Sequence, residues 1–324
     1  MVQQTEEKTH VMEDVLVSIS KRLLLAIRKC DSAATPIAAS KKEKSLWADI
    51  KDQQERLREE VELHALAALS EDAKKAFWIN IYNSFLQLQL RDLHKERGYE
   101  DVGGATPGFI YKAKAIPIAG RIFSLDDIEH GILRRYRWKH LYGYFPNLHA
   151  IFTCSPICKL ACNSLDCRLH FALNCGAKSC PPIAYYTAEK IDSQLDQAAA
   201  AYLRQETEVA PMNLEIHISK IFYWYYGDFG GKRGIYDLLE KYCLDDLQAN
   251  GTLLSGSGMV LLEDNVLEEG INPSAGAIED LRSYKLTYKE FSWEQALDNF
   301  TFEADDMQAS MSTLGRPTRS LAGP

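Results

Sequence analysis

No apolar run in this chain approaches the roughly 20 uninterrupted residues that a membrane-spanning helix needs. The opening MVQQTEEKTH holds neither a basic n-region nor an apolar core, so no secretory signal is expected and the cytosol is the default compartment. Positive charge is also scarce, with a net charge of −8 and a pI of 5.6. That balance argues against sequence-independent affinity for nucleic acid or anionic lipid, so neither nucleic acid nor membrane is expected as a partner. The one basic run with interleaved aromatics, Arg134-Arg135-Tyr136-Arg137-Trp138-Lys139, reads as a solvated helix end. The C-x-x-C knuckles and His pairs of zinc sites are missing too, although six of the eight cysteines fall between residues 154 and 180. Cys158 and Cys162 would share a helix face, with Cys154 one turn earlier, but no metal and no cofactor is expected. In a reducing compartment the cysteines stand mostly as free thiols, and the Asn-X-Ser/Thr matches at Asn250 and Asn299 lose their meaning.

What is present is ordinary globular composition, 46% hydrophobic and 25% charged, in a chain long enough to bury a core without disulfide or metal staples. Val15, Ile19, Leu23 and Ile27 recur at helical spacing and predict a helix from Met12 to Cys30. A second is expected from about Lys41 to Leu69, with a solvated charged middle. Ser70 is placed to N-cap a third, which runs to about His94 and is apolar over most of its circumference. At about 100° per residue, Asn80, Asn83, Ser84, Gln87 and Arg91 gather into one polar stripe that faces either water or a polar site.

Further on, Ala115–Ile118 and Arg121–Phe123 read as a hairpin around Ala119-Gly120. Ser124-Leu125-Asp126-Asp127 resembles a capping box and opens a helix carrying Ile128-Glu129-His130. Leu169, Phe171 and Leu173 alternate as a buried strand ending at Asn174. A helix over Ala188–Arg204, a strand through Leu214, Ile216 and Ile218, a helix over Gly234–Cys243 and a last strand over Lys285–Phe291 complete the pattern. The expected fold is α+β, mainly helical with a small antiparallel sheet. A helical N-terminal extension (1–69) precedes a domain over 70–299, and a disordered tail occupies 300–324.

Several blocks together resemble the domain of unknown function 547 family. They are Phe77-Trp78-Ile79-Asn80-Ile81-Tyr82-Asn83, the segment Ser124 to Arg134, Arg168-Leu169-His170-Phe171-Ala172-Leu173-Asn174-Cys175-Gly176-Ala177-Lys178-Ser179-Cys180-Pro181-Pro182, the aromatic stretch ending at Phe229, and Tyr288 to Trp293. The resemblance spans roughly residues 65 to 295 and implies kinship without an assigned biochemistry. The cysteines of Cys154-Ser155-Pro156-Ile157-Cys158-Lys159-Leu160-Ala161-Cys162 form an unusual insert, and Cys167 stands where the family more often has proline. Within the resemblance Cys180 gives way to serine more readily than Cys175. Their four-residue gap is also not C-x-x-C, so a required redox pair is not expected.

Cys175 is the first chemical candidate. It follows a segment expected to be buried, precedes Gly176, and has Lys178 nearby to favour a thiolate. The competing reading is a small buried structural cysteine. His130, at the rim of its helix, is the candidate base, with Asp126 one turn earlier or Asn83 orienting it. Glu129 points at the core and is either an ion-pair partner, with Arg168 available, or a site carboxyl with a raised pKa. His170 alternates with the apolar residues and reads as a surface histidine. Asn80 and Asn83 either orient an imidazole or an oxyanion, or hold the buried helix in register. Asp228 follows the aromatic run, and Asp228-Phe229-Gly230 lacks the companion motifs of a kinase. The leading expectation is a thiol-dependent hydrolase or acyl transferase using a Cys/His pair. The alternative is a non-catalytic interaction module with a protein or peptide partner, and a redox or metal-binding role is third.

Overall fold

The computed structural model describes residues 2–30, 41–97, 108–137, 156–249, 281–296 and 299–300. Two long helices open it, α1 (Val2–Lys29) and α2 (Lys41–Glu59). The second expected helix breaks at 60–62 and resumes as the short α3 (Leu63–Ala68). The hydroxyl of Ser70 then accepts the amide of Ala73, the N-cap that its position implied, and the buried carboxylate of Glu13 accepts both the amide and hydroxyl of Ser70. This starts α4 (Glu71–Arg97), apolar on nearly every side and packed at the centre of the molecule.

Leu16, Ile19, Leu23 and Ile27 of α1 and Ile50 and Leu57 of α2 join one buried cluster with Phe77, Trp78 and Ile81 of α4. The stripe on α4 is therefore internal: Asn80, Asn83, Ser84, Gln87 and Arg91 are all buried. Of the two surroundings the stripe allowed, it is the polar interior that the fold supplies.

After the short α5 (Phe109–Lys112), β1 (Ile116–Ile118) and β2 (Arg121–Phe123) pair antiparallel, Ile116 opposite Phe123. Ala119 and Gly120 both take positive φ, 53° and 67°, which a two-residue primed turn requires. Helix α6 (Ile191–Glu206) leads into a second sheet of β3 (Glu208–Ala210), β4 (Glu215–Ile218) and β5 (Lys285–Tyr288). Here β3 and β4 are antiparallel but β4 and β5 run parallel, so this sheet is mixed. Helices α7 (Ile221–Trp224) and α8 (Gly231–Ala249) lie between β4 and β5 in the chain. A second buried cluster, including Phe171, Tyr202, Phe222, Phe229 and Leu239, joins them to α6. The architecture is α+β and mainly helical. The tail beyond 300 lies outside the described residues, and no described helix is long and apolar enough to cross a membrane.

Candidate functional site

Two local structures differ from the sequence expectation, and both shape the site. The capping box forms reciprocally: Asp127 N–H donates to Ser124 Oγ at 3.1 Å, and Ser124 N–H to Asp127 Oδ2 at 2.7 Å. The helix it opens is a π-helix, Asp127–Leu133, continued by Arg134 N–H donating to Glu129 O at 2.8 Å. Five-residue turns of this kind concentrate at functional sites. Steps of about 100° would leave Arg134 on the far side of Glu129. The wider turn brings Arg134 round to the Glu129 carbonyl while its side chain still meets His130, four residues earlier.

Arg134 is accordingly buried, against the expectation of a solvated basic helix end, while Arg135 is exposed and residues 138–139 lie outside the described residues. Its Nε donates to Asp228 Oδ2 at 2.6 Å, its Nη1 lies 2.7 Å from His130 Nδ1, and its guanidinium sits 4.7 Å from the centre of the Tyr225 ring. A guanidinium can only donate, so His130 Nδ1 is the acceptor and the proton of the neutral ring rests on Nε2. That Nε2 is 3.7 Å from Asp126 Oδ1, ion-pair range rather than hydrogen-bond range.

The second difference lies at 167–174. Leu169, Phe171 and Leu173 were expected in a strand, but Cys167–Phe171 is a 3-10 helix capped by Asp166, whose Oδ1 accepts Arg168 N–H at 3.1 Å. Alternation misleads here because both sides of the segment are buried: Leu169, His170 and Phe171 all lie inside. His170 is thus an interior residue, not a surface one. Its ring stacks on Tyr225 at 3.8 Å and its Nε2 lies 2.8 Å from Asp228 Oδ2. Burial lowers its pKa against the opposing pull of Asp228, which keeps the ring neutral at pH 7. Nε2 donates to the carboxylate, and among the described residues Nδ1 takes no hydrogen bond.

Glu129 is buried and accepts hydrogen bonds from Tyr225 at 2.6 Å and Tyr82 at 3.1 Å. Burial alone would raise its pKa; the Arg134 guanidinium and the Tyr225 hydroxyl act against it, and the carboxyl is held well below its ordinary value. Asp228 is also pulled down to about 2, where burial is outweighed by His170 and Arg134. A raised Glu129 pKa and a Glu129–Arg168 pair are both overturned. Arg168 instead contacts Asp166, Asp192 and Asp196.

Asn83 Nδ2 donates to Ala172 O and its Oδ1 accepts Asn174 N–H, both at 3.0 Å. Asn174 repeats the device, donating to Pro181 O at 2.8 Å and accepting Gly176 N–H at 2.6 Å. The two amides clamp a tight loop in which Gly176 has φ +80° and Tyr111 Oη donates to Cys175 O at 2.7 Å. The loop returns Cys180 to Cys175 with a Cα separation of 6.0 Å, and the pair is a disulfide. A pairing that the spacing did not announce is made by this turn. Lys178 points out of the loop to Glu294, not to the sulfur. Asn80 holds both Tyr186 backbone groups, donating to its carbonyl at 2.8 Å and accepting its amide at 2.9 Å, so it fastens α4 to that segment.

These elements enclose a cavity of about 680 Å³. Asp126, Glu129, His130, His170, Cys175 and Cys180 line it together with Tyr82, Tyr111 and Tyr225. Asp228, Asn80 and Asn83 are not cavity-lining; Asp228 and Asn83 support lining residues from behind. Its apolar side comprises Phe109, Leu173, Ile221, Trp224, Phe291 and Trp293. Arg134, Tyr225 and this aromatic side went unrecognised in the sequence. The available signal was Arg134 at four residues after His130 and the density of aromatics at 222–226.

Burial raises the thiols of Cys162 and Cys167 to about 12 and about 11, which makes both poor nucleophiles. No three His, Cys, Asp or Glu side chains converge as a metal site among the described residues, of which Cys154 is not one.

Neither a curated protein nor a solved structure matches the chain. A family described as "Protein of unknown function, DUF547" matches residues 66–203, the stretch that holds Tyr82, Glu129, His130, His170 and Cys175, while Tyr225, Asp228 and the aromatic side come after it. Over residues 66–203, somewhat under half of its length, the chain is similar to the domain of unknown function 547 family.

Proposed function

We propose that the cavity is the active site of a thiol-dependent hydrolase or acyl transferase that works with the Cys175–Cys180 pair reduced. The supporting observation is that Cys175 and His170, which Asp228 holds from behind, both line one cavity of ligand size, within the roughly 300–1,000 Å³ usual for such sites. His170 takes the role of base that the sequence assigned to His130. Its Nδ1 lone pair is open while Asp228 orients the ring, whereas Arg134 occupies His130 Nδ1.

Activation consumes a dithiol reductant, which supplies two electrons and two protons and becomes a disulfide itself. A reducing cytosol, the compartment that the cysteine usage points to, favours that state. In the acylation step His170 accepts the Cys175 proton as Sγ bonds to an acyl carbonyl carbon. The tetrahedral adduct collapses with loss of the leaving group, which takes the proton, and an acyl thioester remains. Water or a second nucleophile then attacks that thioester, its proton passing to His170 and on to the departing sulfur. His130 Nε2–H, held by Arg134, donates to the developing oxyanion.

Two measurements test this. A non-reducing tryptic digest should yield peptides 169–178 and 179–190 joined through Cys175 and Cys180. After mild reduction, iodoacetamide at neutral pH should label Cys175 faster than Cys158 or Cys167, and His170→Ala should abolish that lead. Labelling of Cys175 no faster than that of the half-buried Cys167 would end the proposal.

The disulfide also favours a second reading, in which the pair itself exchanges with substrate dithiols. A non-catalytic module with a protein or peptide partner has less support, because it assigns no role to the neutral His170 facing the cavity.

A further inference from the structure

Besides its acid–base groups the cavity is lined by aromatic side chains, and the way these are built gives them a purpose. Trp224, Phe291 and Trp293 hold one another in tilted and edge contacts, with ring centres 4.8 Å (Trp224–Phe291), 5.1 Å (Trp224–Trp293) and 4.8 Å (Phe291–Trp293) apart. Trp293 is nevertheless 44% exposed. A large apolar ring fixed in place at a cavity and left open to water gains its stabilisation only when a ligand covers it.

The segment carrying Phe291 and Trp293 is also tied to the cysteine loop. Lys178 N–H donates to Glu294 O at 2.7 Å, Ala296 N–H to Gly176 O at 2.9 Å, and Ser292 N–H to Ser179 Oγ at 2.9 Å. Ala177 faces Gln295 in an antiparallel bridge. The aromatic wall is therefore held in register with Cys175 by backbone hydrogen bonds on the same short loop. Its distance from the sulfur is set by the fold and not by side-chain chance. Asp126 and Glu129 also line the cavity, and beside their carboxyl groups an apolar group would be poorly accommodated.

We infer that the wall of Trp224, Phe291 and Trp293 receives an apolar acyl group, aromatic or medium-chain, belonging to the substrate that Cys175 attacks. This deepens, and rests on, the thiol reading of the cavity. An acetyl group offers the wall little apolar surface to cover and should be a poor substrate moiety.

The test compares alkylation of Cys175 in the reduced full chain by iodoacetamide and by N-hexyl-iodoacetamide, followed by mass spectrometry. The hexyl reagent should react at least about tenfold faster, since each methylene buried on the wall strengthens the encounter. Trp293→Ala should bring the two rates to within about twofold of each other, and Trp293→Phe should restore the preference. Equal rates in the unaltered protein would overturn the inference. Slow alkylation by both reagents would instead count against the thiol reading. Binding of unreactive N-hexylacetamide, read by tryptophan fluorescence, then decides the wall separately. A saturable change lost in Trp293→Ala supports it, and no change overturns it.

Discussion

His170 Nε2 lies 2.8 Å from Asp228 Oδ2, and both side chains are shut away from solvent. The same carboxylate oxygen accepts Arg134 Nε at 2.6 Å. One oxygen therefore holds a neutral imidazole and a permanent cation, and it joins the 3-10 segment, the π-helix and the turn before α8 at a single point. Breaking that point alters both the site and the fold.

His170 should titrate below its ordinary value of 6.5, because burial favours the neutral ring. Its ring resonances in an NMR titration should stay those of the neutral form from pH 8 to 6.5. A midpoint above 6.5 would contradict the placement, since a ring charged at neutral pH could not act as the base.

Stability should fall in acid through Asp228 and Glu129. Their ordinary values are 3.8 and 4.5; in the folded chain Asp228 stands at about 2 and Glu129 well below its ordinary value. Folded carboxyls that bind protons less readily than unfolded ones contribute stability that is complete above pH 4.5 and lost as pH falls toward 2. Chemical denaturation at stepped pH should show that slope, and Asp228→Asn should flatten it. At neutral pH the same substitution leaves Arg134 buried without its partner, at a cost of about 3–5 kcal/mol.

Asn83→Ala removes the partners of Ala172 O and Asn174 N–H inside the protein and should cost about 2–4 kcal/mol. Asn83→Asp should be no milder: it keeps an acceptor for Asn174 but sets a carboxylate against the Ala172 carbonyl. Both should slow alkylation of Cys175 in the reduced protein, since the clamp positions its loop. Unchanged stability in both variants would mean that the loop holds itself.

Gly234→Ala should destabilise by backbone collision. A Cβ there meets the carbonyl of Phe229, and neither partner is a flexible side-chain end. The affected turn carries Asp228, with Gly230 and Gly231 at φ +75° and +72°. A lower Tm accompanied by an upward drift of the His170 titration is expected. A fully neutral effect would show that the turn has room.

Much of the frame was legible in the chain itself. The period of Ile19, Leu23 and Ile27, the cap at Ser70, the Ala119-Gly120 turn and the reciprocal Ser124/Asp127 pair all form as local rules require, because each rests on contacts within one turn or one hairpin, whereas Val15 of the same expected row is exposed and Leu16 takes its place inside. The stripe from Asn80 to Arg91 was visible too, but not its surroundings. The helix period fixes which residues share a side, whereas α1, the 172–186 segment and other distant chain decide what that side meets.

The amino-acid order by itself determined the helices, the hairpin, the family blocks and the concentration of chemistry around Cys175. Tertiary structure alone decided that Arg134 and His170 are interior, that Asp228 lies between them, and that Cys175 meets Cys180. Those outcomes depend on residues 58 and 94 positions apart in the chain, as in His170–Asp228 and Arg134–Asp228, or on a loop bent by an amide from another helix. Local propensity has no reach over such separations. Burial and charge pairing act only once the chain has closed on itself, and they set the site's protonation states.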